Sequence, residues 1–329
     1  MFRSEGHDIQ IIRVHTTTGK DINYATQLLE SGELVAIPTE TVYGLAANAL
    51  DAKAVANIFH VKDRPHFDPL IVHVKSVEAI YDYVIDIPQW AKKLAAEFMP
   101  GPLTLVLKKK ESIPDIVTAG LDTVGIRIPK HPLTLELLSK LDFPLAAPSA
   151  NPFGYISPTT SQHVYDQLNQ KIPYIIDGGV CTVGIESTIV GEVAGKPVIL
   201  RLGGTAPEDI WNIIGKCEVQ THSTSNPINP GSLEHHYAPK HKLIFGAMNF
   251  AEYHPNEIGI ISFQKEYAGI PKAHQHILSP IGDLREAAHK IFSAMRTLDG
   301  MNISIIFAEH FPDMGLGRAI NDRLKRAAA

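Results

Sequence analysis

Lys62-Asp63-Arg64-Pro65-His66-Phe67-Asp68-Pro69-Leu70-Ile71-Val72-His73 joins a cationic, proline-braced segment to an apolar run that continues to Val74. The apolar half decides the fold class. Leu70–Val74 is too short for a helix and reads as a strand, and because its apolar positions are continuous, both faces of its sheet are expected to be covered. The cationic half points to an anion. In extended backbone Lys62 and Arg64 project to one side, and Pro65 restricts Arg64 to β or polyproline conformations. Pro65 and Pro69 also limit the chain entropy that a bound ligand would remove. A lone Lys-x-Arg-Pro reads as a solvated turn before a core strand, so the weight falls on its neighbours.

Outward from this segment, β-rich runs alternate with amphipathic ones. Ile9–Val14, Leu34–Ile37, Leu103–Leu107, Val124–Ile128, Leu145–Ala147, Tyr174–Ile176, Ser187–Val190 and Val198–Leu200 read as strands. Asp21–Ser31, stopped by Gly32, and Asp51–His60, capped by Asp51, read as helices. The rotation is not strictly βαβ, which predicts a mixed α/β domain with a large twisted sheet over residues 1–216. Between 217 and 240 the periodicity gives way to His, Ser, Thr, Asn, Pro and Gly, the composition of a linker. Over 241–329, strands at Leu243–Phe245, Ile258–Ser262 and Ile303–Phe307, with helices at Asp283–Leu298 and Arg318–Arg326, predict a small open-sheet, Rossmann-like α/β domain.

Composition narrows the function classes. The chain has 329 residues, 44% of them hydrophobic and 20% charged, enough for two packed domains. A net charge of −5 argues against broad electrostatic capture of nucleic acid, so cations would have to be concentrated at a site. The two cysteines, Cys181 and Cys217, supply no disulfide framework and suit a reducing, cytoplasmic compartment. The N-terminus lacks an apolar targeting core, and no apolar run approaches the ~18 residues of a membrane span.

Phosphate-binding signatures fail in detail. Gly191-Glu192-Val193-Ala194-Gly195-Lys196-Pro197 is one residue short of a P-loop and has Pro197 where a hydroxyl is required. Gly315-Leu316-Gly317 lacks the third glycine of a dinucleotide fingerprint. His235 and His236 are adjacent, project apart and have no third ligand at suitable spacing, so no metal site built from protein ligands is expected. Phosphates would have to be met by side chains on irregular loops. Polar clusters at strand ends supply them: Thr39 to Gly44, Ser149 to Asn151, Glu186 to Thr188, and the cations Lys62, Arg64, Arg127 and Arg201.

Taken in order, Pro38-Thr39-Glu40-Thr41-Val42-Tyr43-Gly44-Leu45, Lys62-Asp63-Arg64-Pro65, Pro69-Leu70-Ile71-Val72-His73, Pro100-Gly101-Pro102-Leu103-Thr104, Ser149-Ala150-Asn151-Pro152, Ser157-Pro158-Thr159, Glu186-Ser187-Thr188-Ile189-Val190 and Arg201-Leu202-Gly203 resemble the YrdC-like family. Pro230-Gly231 followed by His236-Tyr237-Ala238-Pro239 resembles the linker of its two-domain, threonylcarbamoyl-AMP synthase branch; Ser232 departs from the usual Met. The resemblance implies a reaction in which L-threonine, bicarbonate and ATP, with Mg2+, yield threonylcarbamoyl-adenylate and pyrophosphate, the first step of a tRNA modification.

Carried over by position, the resemblance puts Thr41, His73, Arg127, Ala147 and Ser187 on the threonine side of the site. Lys62, Arg64, Asp68, Thr123, Ser149, Asn151, Ser157, Arg201 and Tyr237 fall on the nucleotide side, with Lys62 and Arg64 as the charge-neutralising catalytic pair. It also implies a linker folded over the pocket, a downstream threonylcarbamoyl transferase complex and tRNA as possible partners, and no membrane partner. The competing reading is an RNA-binding or ribosome-maturation module without ATP turnover.

Overall fold

The computed structural model describes residues 15–65, 68–220 and 237–329. The expected strand at Ile9–Val14, the pair His235–His236, and most of the expected linker lie outside the described residues. Among those described, the strands form two sheets. The first contains β1 (Thr17–Gly19), β2 (Val35–Ile37), β3 (Gly44–Asn48), β4 (Ile71–His73), β5 (Leu103–Lys108), β6 (Thr123–Arg127), β7 (Leu145–Ala146), β8 (Tyr174–Ile176), β9 (Thr188–Val193), β10 (Lys196–Arg201) and β11 (Glu218–Val219). Their order is β1-β8-β2-β3-β7-β4-β6-β5-β9-β10-β11, with parallel and antiparallel pairs mixed. The second contains β12 (Lys242–Phe245), β13 (Ile258–Ser262), β14 (Gln275–Ile277) and β15 (Ile305–Ala308), in the order β12-β15-β13-β14 and all parallel.

Burial follows the apolar runs. In β2, Ala36 packs into the main core with Leu45 and Val72, while Val35 and Ile37 pack into a separate cluster with Leu29, Leu137 and Tyr174. Both faces there are covered. Burying each such large aliphatic side chain stabilises the fold by about 1.5–3 kcal/mol. The helix Ile22–Glu30 reaches that second cluster because Ile22, Ala25 and Leu29 share one face, and Asp21 caps it by accepting from Tyr24 N.

One local expectation is overturned. Lys62 is not in extended backbone: the helix beginning at Ala52 runs through Lys62 and ends at Asp63, whose φ of 52° is left-handed. Lys62 and Arg64 therefore do not project side by side. The apolar face of Val55, Ile58 and Phe59 carries the helix past His60, and an aspartate tolerates the left-handed cap.

The second domain docks its helix Leu284–Asp299 against the first. Gly184, at φ +81°, makes this approach possible: a Cβ there would lie 2.4 Å from His289 O. Tyr155 Oη donates to Asp299 Oδ2 at 2.5 Å, and Arg296 donates to Gln167 Oε1 at 2.9 Å and to Ile156 O. No helix among the described residues is long and apolar enough to cross a membrane.

Candidate active site

A cavity of about 60 Å3, open to solvent, lies on the face of the first sheet. Strand alternation builds its floor. Ile71 and His73 on β4 point to one side, and the in-register pair of His73 on β6 is Arg127. Gly125, paired with Ile71, leaves that face low beside them. Ala147 and Ser149, just beyond β7, form one wall; Ser187, just before β9, and Arg201, ending β10, form another. The register between β9 and β10 shifts between Ile199 and Arg201. Such a bulge re-aims the strand, which turns Arg201 toward the face that Leu200 shares with Ile71.

Each cation is held by a specific partner. Arg127 Nη2 pairs with Glu40 Oε1 at 2.9 Å, and both side chains are buried. Glu40 also accepts from Lys130 N at 2.9 Å. Arg64 Nη2 pairs with Asp68 Oδ2 at 2.9 Å and donates to Pro69 O at 3.0 Å. Arg201 donates to Ser187 O and, at 3.1 Å, to Ser187 Oγ, which lies 2.7 Å from Thr104 Oγ1. Lys62 points elsewhere: Nζ donates to Ser149 O and Asn151 O, both at 2.5 Å, so it clasps the loop that carries Ser149.

Burial sets the protonation states. Burial and then the Arg127 charge push the His73 imidazole down to about 3, so it is neutral near pH 7 and offers one donor and one acceptor. Burial and Arg64 lower Lys62 well below the usual amine range. Burial alone would raise the Glu186 carboxyl, but Arg323, Arg201 and a 2.6 Å bond from Ser157 Oγ hold it below the usual carboxylate range. Burial brings Arg201 down to about 10, which leaves it cationic.

The remaining wall comes from beyond the first sheet. Tyr237, 1% exposed, stacks on Phe292 at 5.3 Å, and the guanidinium groups of Arg323 and Arg326 lie 5.1 and 5.2 Å from its ring centroid. Arg323 Nε reaches Glu186 Oε2 at 2.9 Å, and its Nη2 donates to Leu202 O at 2.8 Å. Gly203 lets its backbone pass close against the Glu186–Thr188 segment, since a Cβ there would sit 2.4 Å from Glu186 O.

A family model described as "Telomere recombination" matches residues 27–203, and one described as "Threonylcarbamoyl-AMP synthase, C-terminal domain" matches 205–329. The threonylcarbamoyl-AMP synthase of Pyrococcus abyssi is 39% identical over 93% of this chain and 94% of its own. That of Bacillus subtilis is 39% identical over 95% and 94%. A crystal structure of P. abyssi Sua5 complexed with L-threonine has a TM-score of 0.87 at 37% identity, covering 96% of this chain and 97% of the other. The chain belongs to the threonylcarbamoyl-AMP synthase family. The resemblance carried by its sequence motifs is borne out, as is the two-domain α/β fold.

In this synthase-family chain the cavity brings together Arg64, His73, Arg127, Ala147, Ser149, Ser187, Arg201 and Tyr237. The other anticipated residues stand outside its lining. Asp68 holds Arg64, and Ser157 holds Glu186. Thr41 Oγ1 is 2.8 Å from Thr39 Oγ1, and Asn151 Nδ2 donates to Pro152 O and Tyr155 O. Thr123 shares the face of Arg127 at the other end of β6, beyond Gly125. Sequence reasoning did not assign Glu40, Thr104, Glu186, Arg323 or Arg326 to the site. Glu40 and Glu186 stood inside the quoted motifs, so an acid beside a candidate anion site was the available signal.

Proposed function

We infer that this chain condenses L-threonine, bicarbonate and ATP to L-threonylcarbamoyladenylate and pyrophosphate. The observation that carries this is the whole-chain likeness to synthases, one of which has been crystallised with L-threonine. The cavity supports it. The Arg127 guanidinium, oriented by Glu40, suits the threonine carboxylate, while neutral His73 and the Ser187 hydroxyl offer uncharged hydrogen-bonding groups beside it. Thr41 and Ala147 flank that side. Arg64, Ser149, Arg201 and Tyr237 take the nucleotide side, with Asp68, Asn151 and Ser157 in support, Lys62 acting through the loop it clasps, and Thr123 further along the face.

Threonine's amine and bicarbonate give a carbamate with loss of water. A carbamate oxygen attacks the α-phosphorus, forming a mixed anhydride as the bond to pyrophosphate breaks. No protein nucleophile is needed. The residues contribute positioning and fixed positive charge where phosphate charge develops. Mg2+ fits as an ion carried by the triphosphate: Glu186, the carboxylate lining the cavity, is committed to Arg323 and Ser157, and no three His, Cys, Asp or Glu side chains converge among the described residues. The ion would supply further charge neutralisation there.

The product's labile anhydride would be handed to a transferase acting on tRNA, in the cytoplasm, where Cys181 and Cys217 remain thiols. The relatives favour this over an RNA-binding module without turnover. Pyrophosphate release tests the reading: it should require threonine and bicarbonate together, and release that ignores threonine would contradict it.

A further inference from the structure

The second domain supplies more than a cover. We propose that Arg323, on the last helix, Gly317–Ala327, is a positioning residue for the nucleotide side of the cavity: it fixes the Glu186 carboxylate that orients Ser157, and it braces the ring of Tyr237. The proposal rests on the reading of the cavity as the synthase site.

The geometry makes Arg323 the junction of the wall. Its side chain is fully buried and all three guanidinium nitrogens are used: Nε on Glu186, Nη2 on Leu202 O and Nη1 on Asp322 Oδ2 at 2.5 Å. A planar fork makes these bonds at once, which an ammonium cannot. Glu186 in turn lines the cavity and accepts from Ser157 through its other oxygen. Tyr237 is held at a left-handed φ of 68°, a conformation that persists only when surroundings enforce it. Those surroundings include Phe292, Arg323 and Arg326, all from the second domain, and the neighbouring Ala238 N donates to Gly154 O at 2.9 Å. By contrast His73 and Arg127 are paired across neighbouring strands of the first sheet, and Arg127 is held by Glu40 of the same domain.

A general role in docking the domains would be the plain alternative, and the same junction holds the control. Arg318 Nη1 pairs with Glu208 Oε1 at 2.5 Å across it, half-exposed and away from the cavity lining. In the full-length chain, calorimetric binding of a non-hydrolysable ATP analogue should weaken by about tenfold or more in Arg323→Lys, the effect of losing one charged hydrogen bond. L-threonine binding should be unchanged in Arg323→Lys, and both affinities unchanged in Arg318→Ala. Equal loss of both ligands, or an Arg318→Ala defect matching that of Arg323→Lys, would overturn the proposal.

A pH profile supplies the second readout. Glu186 is faced by Ser157, Arg201, Tyr237 and Arg323, while Arg326 faces Tyr237 and Asp322 is bound to both arginines of its own helix. Removing the Arg323 charge lets burial raise the carboxyl, so Arg323→Gln should lose turnover on acidification at a higher pH than the wild type, and Glu186→Gln added to it should abolish that displaced limb. An unchanged pH profile in a folded Arg323→Gln would also overturn it. Failure of the wild-type chain to make the adenylate would sink the functional reading while leaving the binding comparison intact, so the two failures are distinguishable.

Discussion

The two sides of the cavity are built differently. On one, His73 and Arg127 are paired residues of neighbouring strands, and Glu40 completes the set from the same domain. On the other, Glu186 and Arg201 end in a cluster whose far members, Tyr237, Arg323 and Arg326, come from the chain's last third. A strand-built side is fixed once its sheet forms. A side shared between domains is complete only when the domains are docked, so this half, proposed above for the nucleotide, is where domain arrangement can tell on activity.

The largest expected effect falls on the strand-built side. Arg127→Met leaves Glu40 buried without its partner and should cost about 3–5 kcal/mol in denaturant unfolding, with loss of threonine binding. Adding Glu40→Gln should recover much of the stability and none of the binding. Recovery of both would mean that Arg127 does not meet the substrate.

Acid should act on the same side. The unfolded His73 takes a proton near 6.5, whereas the folded one is held down to about 3. Its contribution is therefore complete above 6.5 and lost as pH falls toward 3, at up to roughly 1.4 kcal/mol per pH unit. His73→Gln should flatten unfolding free energy against pH in that window. His163, held down to about 4, leaves a residual slope.

On the shared side, Tyr237→Leu removes the ring between two guanidinium groups. It should cost about 1–2 kcal/mol, read as weaker binding of an ATP analogue with threonine affinity kept. Equal weakening of both ligands would erase the contrast between the sides. The smallest effect belongs to the surface: Asp115→Ala breaks a pair to Lys109 whose aspartate is 81% exposed, and should shift stability by about 0.5 kcal/mol or less, with neither ligand affected.

What was legible in the sequence follows the same division. Continuous apolar runs announced β4, β5, β6 and, in the second sheet, β13 and β15, because fully buried strands have no polar face to hide them, whereas half-buried Gln275–Ile277 carries no such run and was not read. The alanine-rich strand Gly44–Asn48 was harder to read, since small residues carry little periodic signal, and its neighbours were taken for a polar strand end. Lys62 was read as loop although its helix continues, because the stop came from a left-handed aspartate and not a glycine. Arg64, His73, Arg127 and Arg201, from four separate motifs, line one cavity. Arg323 had no such signal. It lies 137 positions from Glu186, and nothing local distinguishes it from the exposed Lys325 on the same basic helix.

The central claim is that this cavity joins threonine, bicarbonate and ATP in one adenylate. Mass detection of threonylcarbamoyl-adenylate in a reaction with isotopically labelled threonine tests it most directly. The account predicts a labelled adenylate that forms only when all three substrates are present. ATP consumption without threonine, and with no labelled adenylate, would contradict it.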